Sequence, residues 1–202
     1  MKKKIALGLL ATMVTATGVA MASPQPLEQG QWQVKAGAAI SPSVEVGSAD
    51  VDGNTSFYGG ITYGVNDDWG IQYDYSHYDM DARFGNAKGD AHEFNVLYKL
   101  NDNINAFAGY NYFGYGADGY KGDHTDGFLV GLQGHYDLTD RLATFAKAGI
   151  GNNSQVYEVG FGYEVADNWD LDLSYHWAKY EDLSATSDMT FKGVRAGIST
   201  SF

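Results

Sequence analysis

Asp172, Ser174 and His176 occupy alternate positions of one short segment, and a carboxylate, a hydroxyl and an imidazole are the groups of a hydrolytic triad. Alternation is the periodicity of a strand, however, and residues two apart on a strand stand about 7 Å from each other, too far to pass a proton in series. A side chain from another strand, His135 for instance, would have to complete the set, so the expectation is a protein that is not an enzyme. His92 and His124 lie in or beside aspartate-rich stretches without a spaced ligand motif; at most they suggest a weak Ca²⁺ site, and no metal or other cofactor is expected. The largest set of chemically capable groups shares one alternating face: Lys35, Lys99, Arg141, Lys147 and Arg195 against Asp74, Glu93, Glu158, Glu164, Asp170 and Asp172. If that face is enclosed, such charges persist only when paired or hydrated, as a salt-bridged plug or as the lining of a water-filled pore. Near balance of sign favours the plug.

The elements that must position these groups are strands. In the run from Tyr163 to Trp177, large residues (Tyr163, Val165, Trp169, Leu171, Leu173, Tyr175, Trp177) alternate with Glu164, Asp170, Asp172, Ser174 and His176, and Ala166-Asp167-Asn168 form a turn between them. The same hairpin cadence, Tyr, any, Val or Leu, any, Asp, any, large apolar, recurs at Tyr63–Trp69, Tyr98–Ile104 and Tyr136–Leu142. A soluble sheet turns its apolar face to a core. Here the repeated apolar face begins and ends in aromatics while the opposite face carries ions, which points to lipid outside.

The chain opens with Lys2, Lys3 and Lys4, an apolar run to Met21, and Ala20-Met21-Ala22 before Ser23, the pattern of a secretory signal peptide spanning 1–22. Residues 23–30 would form a short periplasmic segment and 31–202 the folded domain. There is no cysteine, hence no disulfide framework and no thiolate metal site. With the three leader lysines set aside, ten basic side chains face 25 acidic ones, and so acidic a chain is not a nucleic-acid binder. No stretch after the leader approaches the roughly 20 apolar residues of a membrane helix, but membrane strands of about 10 alternating residues escape that test.

Taken in order, the alternation predicts ten strands, with eight as the fallback. It predicts polar loops over Ser41–Asn54, Asp79–Asp90, Gly114–Gly127 and Glu181–Asp188 on one side and tight turns on the other. The fold class expected is all-β: a closed antiparallel up-and-down transmembrane β-barrel, since only closure removes both edges and satisfies every backbone group in lipid. Tyr63, Trp69, Tyr98, Tyr136, Tyr163 and Trp169 would form the periplasmic aromatic girdle, and Trp177 would join Phe57, Tyr75, Tyr112 and Phe128 in the outer one. Inward glycines (Gly37, Gly60, Gly64, Gly109, Gly131, Gly160, Gly162, Gly197) would leave space for water.

These features resemble the small Gram-negative outer-membrane β-barrels of the opacity-protein, OmpA-transmembrane-like and "porin family" type. The resemblance rests on the leader, the alternating segments, the repeated turns and the terminal FKGVRAGISTSF. It implies Sec-type export to the outer membrane, and partners limited to outer-membrane lipid and lipopolysaccharide, with periplasmic chaperones and the barrel-assembly machinery during biogenesis. It also implies that Val194, Ala196, Ile198 and Phe202 are the assembly signal, Thr200 departing from the usual bulky residue. A monomer is expected. The function expected is structural, with at most a narrow channel for small solutes; the alternatives are a surface adhesin or immune-evasion protein acting through its loops, and a barrel enzyme acting on lipid.

Overall fold

The computed structural model describes residues 28–47, 49–82, 85–117, 120–183 and 187–202, so the leader, its cleavage point and most of the 23–30 segment lie outside the described residues. Eleven strands follow one another: β1 (Trp32–Val46), β2 (Ala49–Asp52), β3 (Ser56–Gly64), β4 (Trp69–Ala82), β5 (Gly85–Asn101), β6 (Ile104–Ala117), β7 (Tyr120–Asp137), β8 (Leu142–Gly151), β9 (Ser154–Ala166), β10 (Trp169–Leu183) and β11 (Ser187–Ser201). From β3 onward each pairs antiparallel with the next, β1 pairs with both β2 and β3, and β11 returns to β1 from Gln33↔Ser201 to Val46↔Met189. β2 pairs with the outer half of β1 just where β3 stops doing so, so the two share one place in the wall. Ten strands therefore close the barrel, as the alternation predicts.

The repeated tight turns owe their form to a position the cadence treats as free. Asn66 Oδ1 accepts the amides of Asp68 and Trp69, both at 2.9 Å; Asn101 Oδ1 accepts that of Asn103 at 2.9 Å; and Thr139 Oγ1 accepts that of Leu142 at 3.0 Å. An Asn or Thr at this place mimics a backbone turn. The fourth copy has Ala166 there, and Asn168 instead adopts the left-handed conformation with φ 65°.

The other side differs from the expectation. The four polar segments are mostly paired strand: β4 and β5 stay in register from Trp69↔Tyr98 out to Ala82↔Gly85, while β6 and β7 pair out to Ala117↔Tyr120 across a shift after Tyr115, and β10 and β11 out to Leu183↔Ser187 across a shift after Glu181. β1 continues through a bulge between Ile40 and Ser43, centred on Pro42, whose missing N–H cannot join a ladder and whose carbonyl accepts from Gly53. These extensions form a collar outside the membrane. Ten steps along the strand from Tyr98 to Lys88, or from Trp169 to Lys179, traverse a tilted wall of about 25 Å, and ionic side chains appear on the outer face at that height.

At the same level the pattern inverts. Below it the outward face is apolar and the inward face polar; above it Asp79, Lys88, Lys179 and Glu181 face out while Val44, Tyr78, Met80, Phe113, Tyr180, Leu183, Met189 and Phe191 pack inward as one buried cluster. Lys179 holds Glu181 at 2.6 Å and Asp188 at 2.7 Å, which keeps its ammonium above its ordinary pKa and ties the β10–β11 end together.

Candidate functional site

Strand parity turns the mid-membrane ions inward, and their lengths let them meet across the lumen. Lys35 on β1 reaches Asp74 on β4 at 2.9 Å, and Lys147 on β8 lies between Asp74 at 3.2 Å and Glu93 on β5 at 2.5 Å, its ammonium 5.2 Å from the Phe107 ring centre. Arg195 on β11 approaches Glu158 at 3.9 Å, donates to Ser76 at 3.0 Å and covers the Tyr58 ring at 4.7 Å. Glu158 also accepts from Ser174 at 2.7 Å and lies 3.5 Å from His176 Nδ1. Three cations thus face three carboxylates in a buried layer, which is the arrangement that burial of charge requires.

Little room remains around this layer. The space bounded by Lys35, Asp74, Glu93, Lys147, Glu158 and Arg195 measures about 30 Å³, and the one beneath it, beside Gln72, Gln133 and Asp172, about 20 Å³. Each has room for no more than a water or two. Above, Phe113 and Tyr180 stack at 4.2 Å with planes 9° apart, Tyr78 and Phe191 stack at 4.0 Å, and Phe113 meets Phe191 at 5.3 Å. The lumen is therefore filled by ions at mid-height and by rings on the outer side.

Of the predicted interior set, Lys35, Asp74, Glu93, Lys147, Glu158 and Arg195 come together, and Asp170 and Asp172 are buried below them. Three do not join. Arg141 lies exposed in the turn before β8, because β8 begins only at Leu142. Lys99 binds Asp102 of its own hairpin at 2.8 Å, and Glu164 is half-buried at the periplasmic end. Tyr58 and Ser76 lie on the inward face that alternation gives them, whereas Tyr78 and the aromatic cluster, which continue that inward parity, are not among the predicted interior residues.

The inward glycines are a second correction. A Cβ on Gly197 would stand 2.2 Å from Tyr58 Oη, one on Gly60 2.3 Å from Asp74 Oδ1, one on Gly109 2.2 Å from Asn95 Oδ1, and one on Gly131 2.5 Å from Phe107. At these four positions the space is filled by neighbouring side chains and backbone. Gly197→Ala is expected to cost about 1–3 kcal/mol in urea unfolding, the usual price of overpacking. Gly197→Ala/Tyr58→Phe should recover part of it; no recovery would mean that the Tyr58 hydroxyl is not what crowds Gly197.

Trp69, Tyr98, Tyr163 and Trp169 are exposed on the outer face, Tyr63, Tyr136 and Trp177 half-buried there, with Trp32 against Tyr63 at 4.5 Å and Trp69 against Tyr98 at 4.8 Å. Val194, Ile198 and Phe202 face outward with Ala196 between them, and the Phe202 backbone exchanges hydrogen bonds with Trp32 at 2.8 and 2.9 Å. Asp172, Ser174 and His176 are buried, and the Ser174 hydroxyl is spent on Glu158. Among the described residues no three His, Asp or Glu side chains gather as metal ligands; His92 and His124 lie on the outer wall.

A closed antiparallel barrel with an aromatic-bordered apolar exterior and a polar lumen is an integral outer-membrane protein of the Gram-negative type. Residues 8–202 match the family model of the outer membrane protein beta-barrel domain, and the chain belongs to that family. No curated protein matches the sequence. Among solved structures, Neisserial surface protein A superposes with a TM-score of 0.51 at 18% identity, over 86% of this chain and 100% of that one. The outer membrane protease OmpT of Escherichia coli superposes with a TM-score of 0.51 at 10% identity, over 87% and 94%. Ail, the attachment invasion locus protein of Yersinia pestis, gives 0.43 at 15% identity, over 86% and 99%. At these identities the likeness is one of fold.

Proposed function

We propose that this outer-membrane barrel is sealed rather than conducting, has no catalytic role, and works outside the cell as a surface interaction protein through its collar. The observation that carries this is the filled lumen: the spaces around the ion layer measure about 30 and 20 Å³, and a stack of aromatic rings covers them. A solute path would need a continuous opening, and a hydrolase would need its nucleophile accessible. The collar is paired strand with its own apolar interior, so it presents a preformed surface and loses little conformational freedom on binding. Its described outward and rim residues include Glu45, Asp79, Asp90, Asp126, Glu181 and Asp188, which outweigh Lys88, Lys179 and Lys192 and favour a basic partner.

Two measurements test it. Refolded protein in a planar bilayer should show no single-channel steps; reproducible ohmic steps would refute the sealed barrel. Replacing residues 79–88 and 181–188 by two-residue turns keeps the pairs Tyr78↔Gly89 and Tyr180↔Met189 and hence the barrel. Bacteria carrying that variant should lose binding to cultured host cells, and undiminished binding would end the collar's claim.

A further inference from the structure

The outer face of the collar is not uniform. Over β4 to β7 it sinks into an open trough of about 810 Å³ bounded by Tyr75, Lys88, Asp90, His92, Tyr112 and His124. The floor is bare because Gly114 and Gly116 fall on the outward parity of β6, and a Cβ on Gly116 would meet nothing closer than Gly122 Cα at 3.9 Å. The β6–β7 register also shifts after Tyr115, at the same level, and such an irregularity bends the wall.

One side of the trough is a row of rings. Tyr75, His92 and Tyr112 are partners across β4, β5 and β6, with ring centres 5.2 Å and 6.0 Å apart, and His124 on β7 stacks on Tyr112 at 5.6 Å with planes 25° apart. An interfacial girdle accounts for rings at this height. It does not account for the carboxylates beside them. Asp90 accepts from Tyr75 Oη at 2.5 Å and lies 2.8 Å from His77 Nδ1 through the same oxygen, and the second oxygen of a carboxylate brings lone pairs of its own. Asp123 also borders the trough, while Lys88, the cation of the lining, leans toward Asp79 at 3.9 Å. Such a lining repels phosphate and attracts a cation. A guanidinium is planar, stacks on rings and offers paired N–H donors to a carboxylate, whereas an ammonium is a compact, strongly hydrated point charge. Rings beside a carboxylate therefore favour arginine over lysine. A small free ligand would need to be mostly enclosed, and this trough is open, so the arginine belongs to a larger partner.

Resting on the collar's role as the interacting surface, we propose that this trough is its contact point for a basic protein and receives arginine side chains, the guanidinium stacking on Tyr112 and bonding to Asp90. Charge complementarity brings the partner to the acidic collar, and the rings select the side chain.

Fluorescence anisotropy tests this with a labelled peptide of about eight residues alternating arginine and alanine, added at physiological salt to the whole barrel in phosphatidylcholine nanodiscs, whose zwitterionic lipid does not itself draw the peptide. The arginine peptide should bind about tenfold more tightly than its lysine counterpart, and Asp90→Asn and Tyr112→Ala should each weaken it about tenfold, the usual effect of losing one anchoring contact. Gly116→Arg, which sets a guanidinium in the trough without a clash, should weaken it at least as much. Asp182→Asn removes the same charge from the exposed end of β10, across the barrel, and should change the affinity by less than about twofold. Mobility of unheated samples on denaturing gels confirms that each variant is folded, and any one site variant suffices. Equal affinity for the two peptides, or a loss in Asp182→Asn as large as in Asp90→Asn, would show attraction by overall charge and overturn the trough while leaving the collar's role intact. Undiminished host-cell binding by bacteria with the shortened collar would end that role even where the peptide binds.

Discussion

Replacing Lys147 by Met is expected to destabilise the barrel by about 3–5 kcal/mol, the cost of leaving buried charge without its partner. Lys147 is the cation shared by Asp74 and Glu93, and its side chain is 8% exposed. Asp74 would keep Lys35 at 2.9 Å, but Glu93 would retain only neutral donors such as Asn95. Urea unfolding in detergent micelles, followed by tryptophan fluorescence, measures the loss. Lys147→Met/Glu93→Gln removes the stranded charge together with its partner and should recover about half of it. A loss below about 1 kcal/mol would show that water reaches Glu93, and the sealed lumen would have to be abandoned.

Phe113→Ala is the second large effect, about 3–5 kcal/mol, because the ring is wholly buried among Tyr180, Phe191 and Tyr78 and the cavity it leaves has no water to fill it. Phe128→Ala, one strand away on the opposite face with 74% of the residue exposed, is the matched control and should cost much less. The damage should also be local. Hydrogen exchange is expected to accelerate in the outer halves of β6 and β7 while the strands below the ion layer keep their protection. Exchange that rises evenly through the barrel would mean that the collar has no core of its own.

Architecture was legible because lipid imposes a simple rule below the inversion level: Trp169, Leu171, Leu173 and Tyr175 out, Asp170, Asp172, Ser174 and His176 in. Orientation followed from the tight turns. The collar was illegible because above that level the rule reverses, so that Tyr78 and Met80 point in and Asp79 points out, and charged residues in a reversed pattern read as loop. The inward parity of Phe113 after Gly109 and Asn111 was the available signal. Pairing among the ions was only half readable, since alternation gives the face of Lys99 or Arg141 but not whether its strand end is enclosed. The glycines misled for a related reason: a missing Cβ says that space exists, and only the neighbouring rings and carboxylates say what fills it.

The seam between β1 and β11 has a consequence for how the molecule can come into being. Apart from β1 and β3, which the short β2 separates, every other neighbour in the wall is also a neighbour in sequence, but Trp32 bonds to Phe202, the last residue described, and Gln33 faces Ser201. Hairpins can form one after another as the polypeptide emerges, yet two bare strand margins persist until β11 arrives. Stability therefore comes late and all at once, and a chain shortened by even one strand would be left with adhesive borders in place of a wall.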